Sequence, residues 1–258
     1  MTTYRPSWPL RVALVLGVSA GVGWVLTQPV STRQGVNFYV TRQSLPFYLK
    51  AVEFLERHEQ YRLLAARVTQ GAATDRQRVQ AVFDWTHQHI QPTPPGWPIV
   101  DDHVWHIIIR GHGVEDQMAD VFTTLCAYAG VPAYWRYVRG PHGGSLTVSY
   151  VKIGGHWAVI DMRRAVIFED AQGAWLTPQQ LAADPALSQV ADRTRLLQAI
   201  SYPDYFATPE FVAPPPHPLR AKQQMPWPRL VYEIRRALRL ENEGQNESEV
   251  RSGGMLEP

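Results

Sequence analysis

A helical run at residues 114–129 is closed by Gly130-Val131-Pro132-Ala133 and followed, at short spacing, by four strand-like stretches. This order restricts the fold more than any other feature. Met118, Val121, Phe122, Leu125 and Ala129 recur at helical spacing and define a core face. Gly130 stops the helix and Val131-Pro132 forces an extended start. The strand candidates are Ala133–Arg139, Leu146–Ile153, His156–Asp161 and Ala165–Glu169. Gly140-Pro141-His142-Gly143-Gly144 and Gly154-Gly155 separate them as hairpin turns. One core helix followed by an antiparallel meander, with further helices on one side, is an α+β architecture.

Three helices are expected ahead of this unit. Ser44 caps the first, with Leu45, Leu49, Val52 and Leu55 on one face. The second runs from about Glu59 to Gln70, with Tyr61, Leu64 and Val68 inward and Gly71 as its stop. Thr74-Asp75-Arg76-Gln77 is a capping box and opens the third, whose apolar row is Val79, Val82, Phe83, Thr86 and Ile90. Pro92-Thr93-Pro94-Pro95-Gly96 is loop, and residues 177–200 read as helical again.

The 21 residues between Arg11 and Arg33 carry no charge. A helix of that length spans roughly 30 Å, the thickness of a bilayer core. Two readings stay open: an uncleaved anchor with Trp8 and Trp24 at the interfaces, or a signal peptide cut after about Ala20. Both place the folded part outside the cytoplasm, on the periplasmic side, with the membrane contacted through residues 12–32. Residues 28–43 read as a spacer. From Pro203 a proline-rich linker leads to an amphipathic helix, Arg229–Leu240, with Arg229, Arg235, Arg236 and Arg239 opposite Leu230, Ile234 and Leu238. That helix suits either anionic lipid or a protein partner, or is a solvated charged face. Residues 241–258 are acidic and read as disordered. The expected domains are therefore 1–35 (anchor and spacer), 36–202 (the folded domain) and 203–258 (linker, basic helix and tail).

A net charge of +2 over 258 residues argues against a nucleic-acid partner. The single cysteine, Cys126, excludes an internal disulfide and a cysteine-based zinc ribbon. It lies beside Phe122 and Leu125 on the apolar face, where a thiol is an inert packing group. Asp101-Asp102-His103-x-x-His106 with His112 is the densest group of metal-competent side chains, but it has no carboxylate at a diagnostic offset. No metal and no cofactor are expected.

The pattern Gly113…Ala119-x-x-Phe122-x-x-x-Cys126-x-x-x-Gly130-Val131-Pro132-Ala133, then Gly155-His156-Trp157-x-x-x-Asp161, resembles the core of the transglutaminase-like superfamily, which has the papain-like fold. The resemblance covers roughly residues 74–162. In active members it implies a cysteine opening the central helix, a histidine on a following strand and an aspartate closing the next. A thiol at a helix N-terminus is acidified, the imidazole deprotonates it, and the carboxylate orients the imidazole. Here the cysteine position falls on Glu115, the histidine position on Ser145 or Leu146, and the aspartate position on Asp161. The helix dipole favours an ionised Glu115. That side chain is either a first-turn dipole partner beside Asp116 or a ligand contact in an inherited cleft.

Trp105, His106, Asp116, His142 and Trp157 are the candidates to line that cleft. Without an imidazole, Asp161 is expected to pair with Trp105 or His106. The resemblance therefore implies a degenerate, non-catalytic domain that binds a peptide, glycan or protein in cell-envelope or exopolysaccharide assembly. The alternative is an active hydrolase or acyl-transferase using Glu115, Asp116, His142 and Asp161.

Overall fold

The computed structural model describes residues 8–101, 103–141, 143–184, 186–188 and 201–237. The elements in order are α1 (Trp8–Thr27), β1 (Pro29–Val36), β2 (Tyr39–Pro46), α2 (Phe47–Val68), α3 (Asp75–His89), β3 (Gln91–Pro92) and β4 (Val100–Asp101). There follow α4 (Val104–Arg110), β5 (His112–Gly113), α5 (Glu115–Tyr128), β6 (Ala133–Arg139), β7 (Ser145–Ile153), β8 (His156–Asp161) and β9 (Val166–Ile167). The chain closes with α6 (Pro178–Ala183), α7 (Tyr202–Phe206), α8 (Pro209–Val212), a 3-10 turn (Arg220–Gln224) and α9 (Pro226–Ala237).

The main sheet is an antiparallel meander, β6-β7-β8-β9. Alternation along its strands supplies two cores. On one face Ala133, Val151, Ala158 and Ile160 pack with Met118, Phe122, Leu125 and Cys126 of α5, and with Tyr61, Val79, Val82 and Ile107 behind them. On the other, Tyr134, Leu146, Val148, Tyr150 and Val159 pack with Phe168, Leu176, Phe206 and Phe211. Helix α5 is buried from Gln117 to Ala127. It ends in a Schellman turn: the Val131 amide donates to the Cys126 carbonyl (2.9 Å) and the Gly130 amide to the Ala127 carbonyl (3.1 Å). Gly130 sits there at φ +86°, a conformation that strains any residue with a Cβ. The capping box at Thr74 is present, with Gln77 as its reciprocal partner.

Four expectations are corrected. The two helices foreseen between Ser44 and Gln70 are one, α2, because no glycine or proline interrupts them and Glu53–Arg57 and Glu59–Arg62 pairs bridge the junction. The spacer 28–43 is instead the hairpin β1–β2, extended by β4. Its turn places Asn37 (φ 48°) and Phe38 (φ 69°) in the left-handed region, and Asn37 is held through both its amide and its side chain to Ile99. The segment after Pro203 is no linker: α7 and α8 bury Phe206 and Phe211 in the second core. The apolar span 12–32 stops at Thr27, since Pro29 ends the helix and Thr27 and Gln28 side chains donate to the Trp24 carbonyl.

Helix α1 is exposed along its whole described length. Among the described residues, no helix is long and apolar enough to cross a membrane. The charge-free stretch of α1, Val12 to Thr27, covers about 24 Å against roughly 30 Å of hydrocarbon. The acidic tail 241–258, the helical reading for residues 189–200 and the end of the basic helix beyond Ala237 lie outside the described residues.

Phe122→Ala should destabilise the fold by about 3–5 kcal/mol in urea unfolding, because its ring is fully enclosed by both α3 and the sheet. Leu63→Ala, at a position 55% exposed on α2, should stay within about 0.5 kcal/mol.

Candidate functional site

The approach to α5 is fixed before any functional group is reached. Gln117, in the first turn, accepts from the Val114 amide (3.3 Å) and from Arg110 Nη2 (3.1 Å), and donates to the Val100 carbonyl (2.7 Å). Arg110 also donates to the carbonyls of His112 and Val100, each at 3.0 Å. A Cβ on Gly113 would meet Gln117 Cβ at 3.0 Å, so the glycine lets the loop press against the helix start. These contacts present Glu115 and Asp116 at the amino end of α5.

Glu115 and Asp161 converge there on one guanidinium. Arg164 Nη1 donates to Asp161 Oδ2 at 3.0 Å, and Arg164 Nη2 donates to Glu115 Oε1 at 3.3 Å. The Arg164 amide donates to Asp161 Oδ1 and the Tyr202 hydroxyl to Oδ2, both at 3.0 Å. Asp161 is fully buried, and its carboxylate is satisfied by three donors. The expected pairing of Asp161 with Trp105 or His106 is therefore replaced by Arg164 and Tyr202. The reason is local: the β8–β9 turn, with Ala165 at φ 50°, returns Arg164 onto the end of its own strand. Burial raises the Glu115 carboxyl above its ordinary value against the opposing pull of Arg164. That is the reverse of the direction given by the helix dipole alone.

A second polar network begins at Asp116, beside Glu115 in the first turn, and continues one turn on at Asp120. Asp116 Oδ2 accepts from the Tyr137 hydroxyl (2.8 Å), while Oδ1 accepts from the Gln117 amide (2.8 Å). Asp120 accepts from Trp135 Nε1 (2.5 Å) and pairs with Arg220 (2.7 Å), whose guanidinium lies 5.6 Å from the Trp135 ring centroid. Burial raises the Asp120 carboxyl, with Arg220 and the Trp135 donor acting against it. Sequence reasoning missed Arg164, Tyr137, Asp120 and Arg220. Of these, Arg164 carried a signal, since it lies three residues past Asp161 in a tight turn.

The remaining candidates divide by face. Leu146 points into the second core with Val148 and Tyr150, away from α5. Alternation instead turns Thr147 and Ser149 toward α5, with Thr147 registered opposite Tyr137. Trp157 also lies on the second face, 4.9 Å from the Tyr134 ring, so it does not line the cleft. Trp105 packs against Tyr61 (5.7 Å) in the first core, and His106 is exposed beside His103. His103 is pushed down to about 4 by burial, with Arg57, His106 and Lys50 adding to the shift. Among the described residues no three His, Cys, Asp or Glu side chains gather as a metal site. His142 lies outside the described residues. Cys126 is buried, its thiol pushed well up by burial, and it stands about 16 Å along α5 from Glu115.

A central helix packed on an antiparallel meander, with acidic and cationic side chains at the helix start, is the arrangement that this geometry defines. Residues 62–173 match the family model of the transglutaminase-like superfamily. Among solved structures, a candidate cysteine protease from Cytophaga hutchinsonii is 19% identical with a TM-score of 0.36, the match covering 49% of this chain and 45% of that one. A TGase is 14% identical with a TM-score of 0.31, covering 62% and 49%. The chain thus spans about half the length of these relatives or less. No curated protein matches it significantly.

Arg164→Met should destabilise the domain by about 3–5 kcal/mol, since it strands the buried Asp161 carboxylate. Adding Asp161→Asn should restore part of the loss in the same unfolding assay. A second outcome concerns pH. The folded state holds the Glu115 proton after the unfolded chain has lost it, so this contribution is full below the ordinary carboxylate value and is lost as pH rises through the raised one. Unfolding curves of Glu115→Gln across the weakly acidic range should lack that decline.

Proposed function

We propose that this transglutaminase-like domain is non-catalytic and binds a peptide, glycan or protein partner at the amino end of α5. The partner would belong to cell-envelope or exopolysaccharide assembly, with α1 attaching the chain to the membrane and the domain outside the cytoplasm. One observation carries the reading. At the position where the superfamily's chemistry needs a thiol and an imidazole, this chain has a carboxylate clamped by Arg164. A guanidinium stays protonated and cannot accept a proton from a nucleophile. Cys126, the chain's single thiol, is enclosed in the core with its pKa raised. What supports membrane attachment is α1 itself, whose apolar side chains point outward on all sides, with Arg11 able to reach the interface along its aliphatic stem. Residues 12–27, not 12–32, would make that contact.

Pull-down from solubilised membranes should recover a partner with wild-type protein and lose it with Glu115→Arg, with circular dichroism showing that the variant is still folded. Turnover of a glutaminyl or peptide substrate by the wild type, abolished in Glu115→Gln, would overturn the non-catalytic reading and favour the atypical hydrolase. Alkaline washing of membranes should leave the chain in the pellet. Release into the supernatant would remove α1 as an anchor.

A further inference from the structure

Helix α9 carries two features that neither the cleft nor α1 uses. Trp227, Leu230 and Ile234 are 73%, 49% and 49% exposed. At about 100° per residue they fall within roughly 60° of arc, a narrow apolar stripe on the outer face of the helix. Beside this stripe runs a groove of about 580 Å³, between α9, the segment 215–219 and the end of β7. Lys152, Lys222, Arg235 and His217 line it, together with Trp227 and Tyr232, and no carboxylate does. The one acidic residue of α9, Glu233, faces the other way and is neutralised by Arg229. Lys152, Lys222 and Arg235 form no ion pair with any described residue.

We infer that α9 is a membrane-surface element, with the stripe seated at the acyl boundary and the basic groove holding anionic lipid headgroups. Unpaired cations without nearby carboxylates repel one another, and an anionic surface relieves this. The apolar stripe gains by leaving water in the same pose. A neutral surface would satisfy the stripe alone. A soluble anion would satisfy the groove alone. An anionic bilayer answers both together, and Trp227, which borders both, is a side chain suited to the interface. The inference is independent of α1, because it concerns how the body lies on a surface and not how the chain is tethered.

The test follows α9 itself, so that tethering by α1 cannot mimic the result. The full chain carrying Leu230→Cys, with Cys126→Ala, is labelled with an environment-sensitive fluorophore and mixed with phosphatidylcholine vesicles, with or without about one third phosphatidylglycerol. The emission should shift blue, and lipid-borne nitroxides should quench it, only with phosphatidylglycerol present. Each neutralised cation among Lys152, Lys222 and Arg235 should lower the bound fraction's equilibrium constant about fivefold, and added salt should weaken it further. Ile234→Ser should weaken it with the cations intact. A label that stays in water on anionic vesicles, or that responds equally to neutral ones, overturns the inference. So does a response that charge neutralisation leaves unchanged.

Discussion

Burial of α5 on all sides governs how the rest of the chain is arranged. A helix enclosed from Gln117 to Ala127 cannot leave any polar group unanswered, yet its sequence carries Gln117, Asp120, Thr123 and Thr124 inside that stretch. Gln117, Asp120 and Thr123 each draw in another segment or close on the helix. Gln117 ties down the 100–110 approach, and Asp120 takes Trp135 from the sheet and Arg220 from the far end of the chain. Thr123 bonds back to the Ala119 carbonyl. Apolar packing fixes where α5 lies, and these few hydrogen bonds fix which loops can lie against it.

The same enclosure explains the character of the helix start. Two carboxylates brought together in a desolvated corner would repel, and one would hold a proton. Burial still holds the Glu115 carboxyl above its ordinary value, while Arg164 eases the conflict by donating to both carboxylates. Because it comes from the β8–β9 turn, the clamp is set as soon as that hairpin forms. It also fills the space between Glu115 and Asp161 with a planar, permanently charged group. An imidazole in that space could pass a proton from one residue to the other. A guanidinium can only hold them.

Much of this fold was legible in the sequence. The period of Met118, Val121, Phe122 and Leu125, the Gly130-Val131-Pro132 corner and the strand alternation locate α5 and the sheet with small errors, because each is a local signal. The convergence of Glu115 with Asp161 was legible only through the family pattern, since the two residues are far apart in sequence. Three things were not. Alternation places Leu146 and Trp157 on the face away from α5, and a one-residue difference in register decides that side. Phe38 adopts a left-handed turn that its residue type does not announce. The prolines after residue 203 suggested a linker, whereas Phe206 and Phe211 between them had the bulk to build a core.

That proline-rich segment also resolves a problem which the sheet creates. Strand β6 is an edge, and its free face would invite pairing with another chain. Arg136 reaches out from it to the carbonyls of Glu210 and Pro214, both at 2.7 Å, and the Arg139 amide donates to Glu210 Oε2 at 3.1 Å. Tyr150, on the neighbouring strand, donates to the Phe211 carbonyl at 3.0 Å. Prolines that lack an amide donor suit a strap that covers an edge without extending the ladder. Continuing past that edge, the strap sets Arg220 against Asp120 and Gln224 against the Tyr128 hydroxyl (2.8 Å), both on α5. One passage of chain thus closes the sheet edge, pins the central helix along its flank and leaves the amino end of α5 to Glu115, Asp116 and Arg164.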